Sequence, residues 1–217
     1  MRLTSINIQG YRPFRNFEAQ LQTLEIIVGA NGAGKSSLFE FLKFLRDSLY
    51  YDIPPEIISG SIGQQIFHIP GPAKFEWNIE IDTSLPIGIR YLGELMGPVG
   101  RIQVSYERVE SSKPFGNTHK TPYIYMDIQG NKGVVQDPKT KKFTKQEIAL
   151  KRLNQLALSA MTNPSLEALY NLREYILDWR FYSSFNIANQ KIRQSVPIEQ
   201  EPILHEFENV VKSMMVV

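Results

Sequence analysis

The chain has 217 residues, 42% of them hydrophobic and 21% charged, with a formal net charge of +2 and no cysteine. Such a length and composition fit one globular domain of ordinary size, or one domain with an insert, and rule out disulfides and thiolate metal sites. The near-neutral charge gives no strong field toward nucleic acid or acidic membranes, and no apolar run approaches the ~20 residues of a membrane span.

Leu3 to Gly10 alternates apolar and polar residues and is predicted as a first strand, with Ile6 and Ile8 on one face. No signal peptide precedes it, so a cytoplasmic setting is expected. Tyr11-Arg12-Pro13-Phe14 breaks the pattern, and Phe17 to Leu21 resumes a short strand. Leu24 to Val28 is an apolar run that reads as a buried strand, and it ends in Gly29-Ala30-Asn31-Gly32-Ala33-Gly34-Lys35-Ser36-Ser37. This turn fits G-x-x-x-x-G-K-[ST], the P-loop pattern. Gly29, Gly32 and Gly34 let the backbone form a concave nest of N–H groups, and a helix starting near Lys35 adds its positive dipole end. Mg²⁺–ATP is the expected ligand. Lys35 is the expected catalytic cation at the β- and γ-phosphates, and the Ser36 hydroxyl is the expected Mg²⁺ ligand.

Two stretches, Ile6-x-Ile8-x-Gly10-Tyr11-Arg12-x-Phe14 and Gly29 to Ser36, resemble the opening of the RecF/SMC branch of ABC-type ATPases. They are closest to its stand-alone bacterial "predicted ATPase" (AAA family) members. The resemblance implies an α/β fold, a P-loop NTPase core of ABC/SMC-head type with an antiparallel β-lobe. It also implies that Arg12, the basic residue after the first strand, contacts nucleotide phosphates with Tyr11 beside it. A nucleotide-gated dimer in DNA repair, chromosome or defence work is the function that follows. A non-hydrolysing nucleotide-binding or protein-interaction module stays open as the alternative.

Lys35 to Leu49 is predicted as the P-loop helix, with Leu38, Leu42, Leu45 and Leu49 on one stripe flanked by Phe39, Phe41 and Phe44. Glu40–Lys43 and Lys43–Asp47 are the expected pairs on its polar stripe, and Pro54-Pro55 forbids continuation. Ser61 to Gln65 superficially matches an ABC signature but follows the P-loop too closely and reads as a loop. Lys74 to Asp82, Ile87 to Tyr91, Ile102 to Tyr106 and Tyr123 to Ile128 read as a meander with one wet face, ending in a turn into Val134-Val135. Asp127 ends an apolar strand as a Walker B aspartate does, but Ile128 stands where the catalytic glutamate belongs, so a hairpin is the better reading. Asn131-Lys132-Gly133-Val134 lacks the aspartate of a guanine-reading motif. Lys139, Lys141, Lys142 and Lys145 fit a solvated loop better than a DNA contact.

Gln146 to Met161 reads as a helix, and Asn163-Pro164 as the cap and first residue of another that runs on through Ile176. Trp179 to Phe185 is aromatic and extended. His68, His119 and His205 have no metal-type spacing. The expected organisation is one N-terminal part of an ATPase head, 1–217: strand pair, P-loop and helix at 1–50, a β-rich lobe at 51–145, and a helical segment, aromatic strand and tail at 146–217. The resemblance implies a head incomplete at its C-terminus, because the Walker B, signature and switch residues of the resembling family are not found in the sequence. The expected partner is therefore a second copy or a complementing C-terminal half. The chain alone is expected to turn over ATP poorly.

Overall fold

In the computed structural model the described residues are 1–53, 66–83, 87–97, 102–115, 120–136 and 146–182. Two units divide the chain after Leu177. Of the second, residues 178–182 are described, where Arg180 faces Asp178 at 3.7 Å.

The first unit is built on β1 (Arg2–Tyr11), whose alternation buries Ile6 and Ile8 completely. β2 (Phe14–Gln20) folds back against it with Tyr11 opposite Phe14, so Arg12-Pro13 is a two-residue hairpin loop. The chain then leaves the sheet, forms α1 (Lys35–Tyr50) and re-enters as β3 (Lys74–Asp82) on the other side of β1. β2 and β3 are each antiparallel to β1 and hence parallel to one another, which makes a split β-α-β unit with the N-terminal strand between its arms. β4 (Ile89–Met96), β5 (Gln103–Pro114), β6 (Pro122–Gln129), β7 (Lys132–Val135) and β8 (Gln146–Ala149) follow as a meander. The result is one eight-stranded sheet in the order β2-β1-β3-β4-β5-β6-β7-β8.

One face of the sheet is apolar because the strands alternate cleanly: Phe75, Trp77, Ile79 and Ile81 on β3 all point inward, as do Ile89, Tyr91 and Leu95 on β4. α1 lies on that face. Phe41 meets Tyr11 edge-on at 5.5 Å between ring centroids, and Phe44 meets Phe75 at 5.6 Å. These T-shaped contacts add to the area burial. A 3-10 turn at Ala157–Ala160 and α2 (Glu167–Leu177) complete the layer, with α2 touching α1 and β6. The Leu3 N–H donates to the Tyr175 hydroxyl at 2.9 Å, fastening β1 to α2. On the opposite face opposite charges stand in rows: Lys74 with Glu76 and Glu94, Arg90 with Glu80 and Glu110, Arg108 with Asp127.

A carboxylate sits inside this apolar layer. Glu107 of β5 is wholly buried and accepts the Ala157 N–H, the Leu158 N–H at 2.9 Å and the Tyr91 hydroxyl at 3.0 Å. It thus caps the 3-10 turn from across the core. Burial pushes its carboxyl up to about 7, with the two backbone donors and Tyr91 pulling the other way. Burial, together with the nearby carboxylate, also raises the Tyr91 phenol well above its usual value.

Several expectations are corrected. Gln146 to Met161 is not a helix but β8, a connection and the 3-10 turn. β8 supplies the partner that the outer edge of β7 requires, pairing Lys132 with Ala149. Leu156, Ala157 and Leu158 are buried in succession while Leu153 is 48% exposed, which no single helical face allows. α2 starts later than predicted, because the Asn163 side chain caps a preceding turn through the Ser165 N–H (2.9 Å). The strands of the β-rich lobe continue the β1–β2 sheet, since β1 pairs with β3. On α1, Glu40 pairs with Arg12 and Asp47 with Arg46, not with Lys43. Leu42 is half-buried and Phe39 is 51% exposed, so the helix buries one side only. Asp127 lies in the β6–β7 hairpin and accepts from Arg108 at 3.0 Å.

Ser61 to Gln65, the four lysines between 139 and 145, His119, His205, Phe185 and the tail from 206 lie outside the described residues. Among the described residues no helix is long and apolar enough to cross a membrane.

Candidate nucleotide-binding site

The last sheet bond of β2 runs from the Leu21 N–H to the Thr4 carbonyl at 2.8 Å. Beyond it the apolar run predicted as a buried strand joins no ladder, and Leu24, Ile26 and Val28 are 80%, 81% and 84% exposed. β1 already has β2 on one side and β3 on the other, so neither edge of β1 is open to this run. A run apolar on both faces needs neighbours on both sides to be buried.

The glycine turn and the helix start at Lys35 follow the prediction. Ala33 N–H closes a turn onto the Ala30 carbonyl at 3.2 Å, and Gly32 and Gly34 take φ of 83° and 92°, where a side chain is disfavoured. Gly34 is the N-cap of α1, with no side-chain cap and no acidic residue in the first turn. The first helical bond runs from the Leu38 N–H to the Gly34 carbonyl at 3.1 Å. The amides of Lys35, Ser36 and Ser37 therefore precede the helical ladder and point out of its positive end. Lys35 curls back, its Nζ donating to the Gly29 and Ala30 carbonyls at 2.6 and 2.8 Å. Ser36 is exposed on the first turn.

The β1–β2 hairpin lies against this loop. A Cβ on Gly34 would stand 2.7 Å from the Phe14 ring and 3.3 Å from Pro13. Arg12, the residue before them, has φ of 49°. Two-residue hairpins demand a positive φ at that first loop position, which glycine, asparagine and aspartate adopt most readily. The backbone holds arginine there through the Arg12 N–H to the Ile66 carbonyl (2.9 Å) and His68 Nδ1 against the Arg12 carbonyl (2.8 Å). The His68 N–H in turn donates to the Gly10 carbonyl at 2.8 Å. The guanidinium sits 5.6 Å above the Tyr11 ring and forms an ion pair with Glu40, while its Nε is buried with no acceptor among the described residues. Burial pushes the Tyr11 phenol up to about 12; Arg12 opposes the shift and Glu40 adds to it. The phenol is thus neutral at physiological pH and offers Arg12 a π face.

The arrangement is an anion cradle. Left-handed glycines, uncapped helix amides and Lys35 come together at one end of α1, and the hairpin that carries Arg12 lies against Gly34 there. Sequence reasoning singled out Arg12, whose hairpin the structure sets against the loop at Gly34, and the residues from Gly29 to Ser37. It missed Glu40, assigned to a solvated stripe, and His68, which has no local signal of its turn-bracing bond. It also missed Glu107, whose clue was its place on the inward parity of β5 two residues before Val109.

A glycine turn at the start of a helix that packs on a sheet fits a P-loop protein of the α/β class. The sequence matches the AAA ATPase domain over residues 1–210, and the chain belongs to that family. Family membership assigns it ATP binding and an ATPase domain. No curated protein matches the sequence.

Proposed function

We propose that the chain binds Mg²⁺–ATP at Gly29–Ser37 as the nucleotide-binding part of a RecF/SMC-like ATPase that works as a nucleotide-gated dimer, in DNA repair, chromosome or defence functions. The observation that carries the nucleotide assignment is the Lys35 ammonium folded onto the Gly29 and Ala30 carbonyls at the mouth of a left-handed glycine turn. Its own loop supplies weak neutral acceptors, and a polyphosphate offers charged ones, which form hydrogen bonds roughly twice as strong. The Ser36 hydroxyl takes a metal position, and the three first-turn amides take phosphate oxygens. The finer family placement rests on the Tyr11-Arg12 hairpin that precedes the P-loop and touches it. A dimer or a complementing chain is supported by the exposed Leu24–Val28 run, an apolar surface of the kind that partners cover.

Titration with a fluorescent ATP analogue in Mg²⁺ tests the assignment. Lys35→Ala is expected to weaken binding by about 1.5–3 kcal/mol, the scale of a charge-assisted hydrogen bond. Equal affinities for the two proteins would sink it.

A further inference from the structure

Lys35 and Arg12 are each held by the protein's own acceptors. Lys35 is held by carbonyls of its own loop, whereas Arg12 is held by a carboxylate, that of Glu40 on α1. Glu40 follows Ser36 by one helical turn on the same face of α1, a rise of roughly 5–6 Å. The guanidinium that reaches Glu40 is therefore within one side-chain swing of the first-turn amides. Its backbone does not have to move for this. The Arg12 hairpin is pinned by Ile66 and His68, and the following Pro13 and Phe14 lie against Gly34. The pinned conformation is one that glycine would adopt with less strain, by roughly 1–2 kcal/mol. What an arginine adds at this position is its side chain, since the turn itself would suit glycine better. That side chain is only partly used, since Nε is buried without an acceptor among the described residues.

We propose that Glu40 is an autoinhibitory counter-ion of the nucleotide site. In the nucleotide-free protein it occupies the Arg12 guanidinium, and the entering polyphosphate must displace it before Arg12 can close on the phosphates. The proposal rests on the assignment of the P-loop as the Mg²⁺–ATP site. Glu40 is a positioning residue: it touches Arg12, not the ligand. With its side chain 48% exposed, Glu40 tolerates substitution without loss of the fold, and the ion pair it forms is of the weak, solvent-screened kind.

The test is a double-mutant cycle on binding of a fluorescent ATP analogue, with Mg²⁺ and fixed ionic strength, using wild type, Glu40→Gln, Arg12→Ala and the double variant. Glu40→Gln is expected to tighten binding about two- to fivefold, the range over which an exposed ion pair acts. Arg12→Ala is expected to weaken binding, and in that background Glu40→Gln is expected to change nothing. If Glu40→Gln tightens binding equally with and without Arg12, Glu40 acts as a bare negative charge near an anion and the counter-ion role is overturned. If Glu40→Gln lowers the melting temperature and leaves affinity unchanged or weaker, the pair is a brace between hairpin and helix, and the proposal is wrong. Lys35→Ala separates the two levels. Loss of binding in Lys35→Ala with no gain in Glu40→Gln rejects the Glu40 role alone, whereas unaltered binding in Lys35→Ala rejects the site itself.

Discussion

Replacing Glu107 by glutamine should abolish most of the dependence of stability on pH between about 5 and 8. The carboxyl of Glu107 is raised from 4.5 to about 7 by burial. In the unfolded chain it ionises near 4.5, so between the two values the folded state holds the proton more tightly. Stability from this group is therefore greatest below the unfolded value and is lost as pH rises toward 7. At roughly 1.36 kcal/mol per pK unit the full swing is on the order of 3 kcal/mol. No other shifted group described above titrates in that window, since Tyr11 and Tyr91 are both raised. The variant also changes the hydrogen bonding. Glu107 faces three donors, from Ala157, Leu158 and Tyr91, and an amide nitrogen cannot accept from any of them. At pH 5 the variant should accordingly be less stable than wild type by about 1–3 kcal/mol, the usual penalty of an orphaned buried donor. The two proteins should converge as pH rises and the wild type ionises. Urea unfolding of both at several pH values and constant ionic strength reads this directly. A variant whose stability falls from pH 5 to 8 as steeply as that of wild type would show that the proton is not on Glu107.

Two further substitutions probe the loop. Gly34→Ala places a Cβ 2.7 Å from the Phe14 ring at a φ of 92°, and should lower both folding stability, by about 1–2 kcal/mol or more, and affinity for an ATP analogue; urea unfolding and titration measure the two losses. The double change Ile26→Thr and Val28→Thr, at positions 81% and 84% exposed, should leave the unfolding free energy of the isolated chain within about 0.5 kcal/mol per site. A loss of several kcal/mol would mean that the run is buried after all.

What could be read from the sequence was what depends on near neighbours. β3 was predicted to its end residues because Phe75, Trp77, Ile79 and Ile81 alternate without a break, and α1 begins at Lys35 because the glycine turn allows no earlier start. The glycine turn was legible for the same reason, with Gly32 and Gly34 at positive φ. The misreadings concern distant partners. Residues 146–161 carry leucines at helical spacing, but the unpaired edge of β7 claims 146–149 as a strand and Glu107 claims the amides of Ala157 and Leu158. Leu24–Val28 has the composition of a central strand, and whether such a run is covered depends on neighbours that its own composition does not specify. The Arg12–Glu40 pair joins residues 28 apart, so a local count of helix charges assigned Glu40 to Lys43 instead.

The position of β1 has a consequence for how the protein comes into being. Although β1 is synthesised first, it lies inside the sheet, and its pairing of Ile6 with Ile79 waits for the whole P-loop and α1 to be made. A nascent chain that stops short of β3 can close the local β1–β2 hairpin and carries every residue of the glycine motif. It still lacks the aromatic bed of Phe75 and Trp77 on which α1 rests. Without that bed the helix has little to hold it, since helices of this length are marginal alone. The cradle thus ripens only after a loop closure that spans the motif itself, the non-local kind of step that slows folding. Nucleotide present at that moment binds the finished state and not its precursors, and by mass action it draws the young chain toward its native sheet.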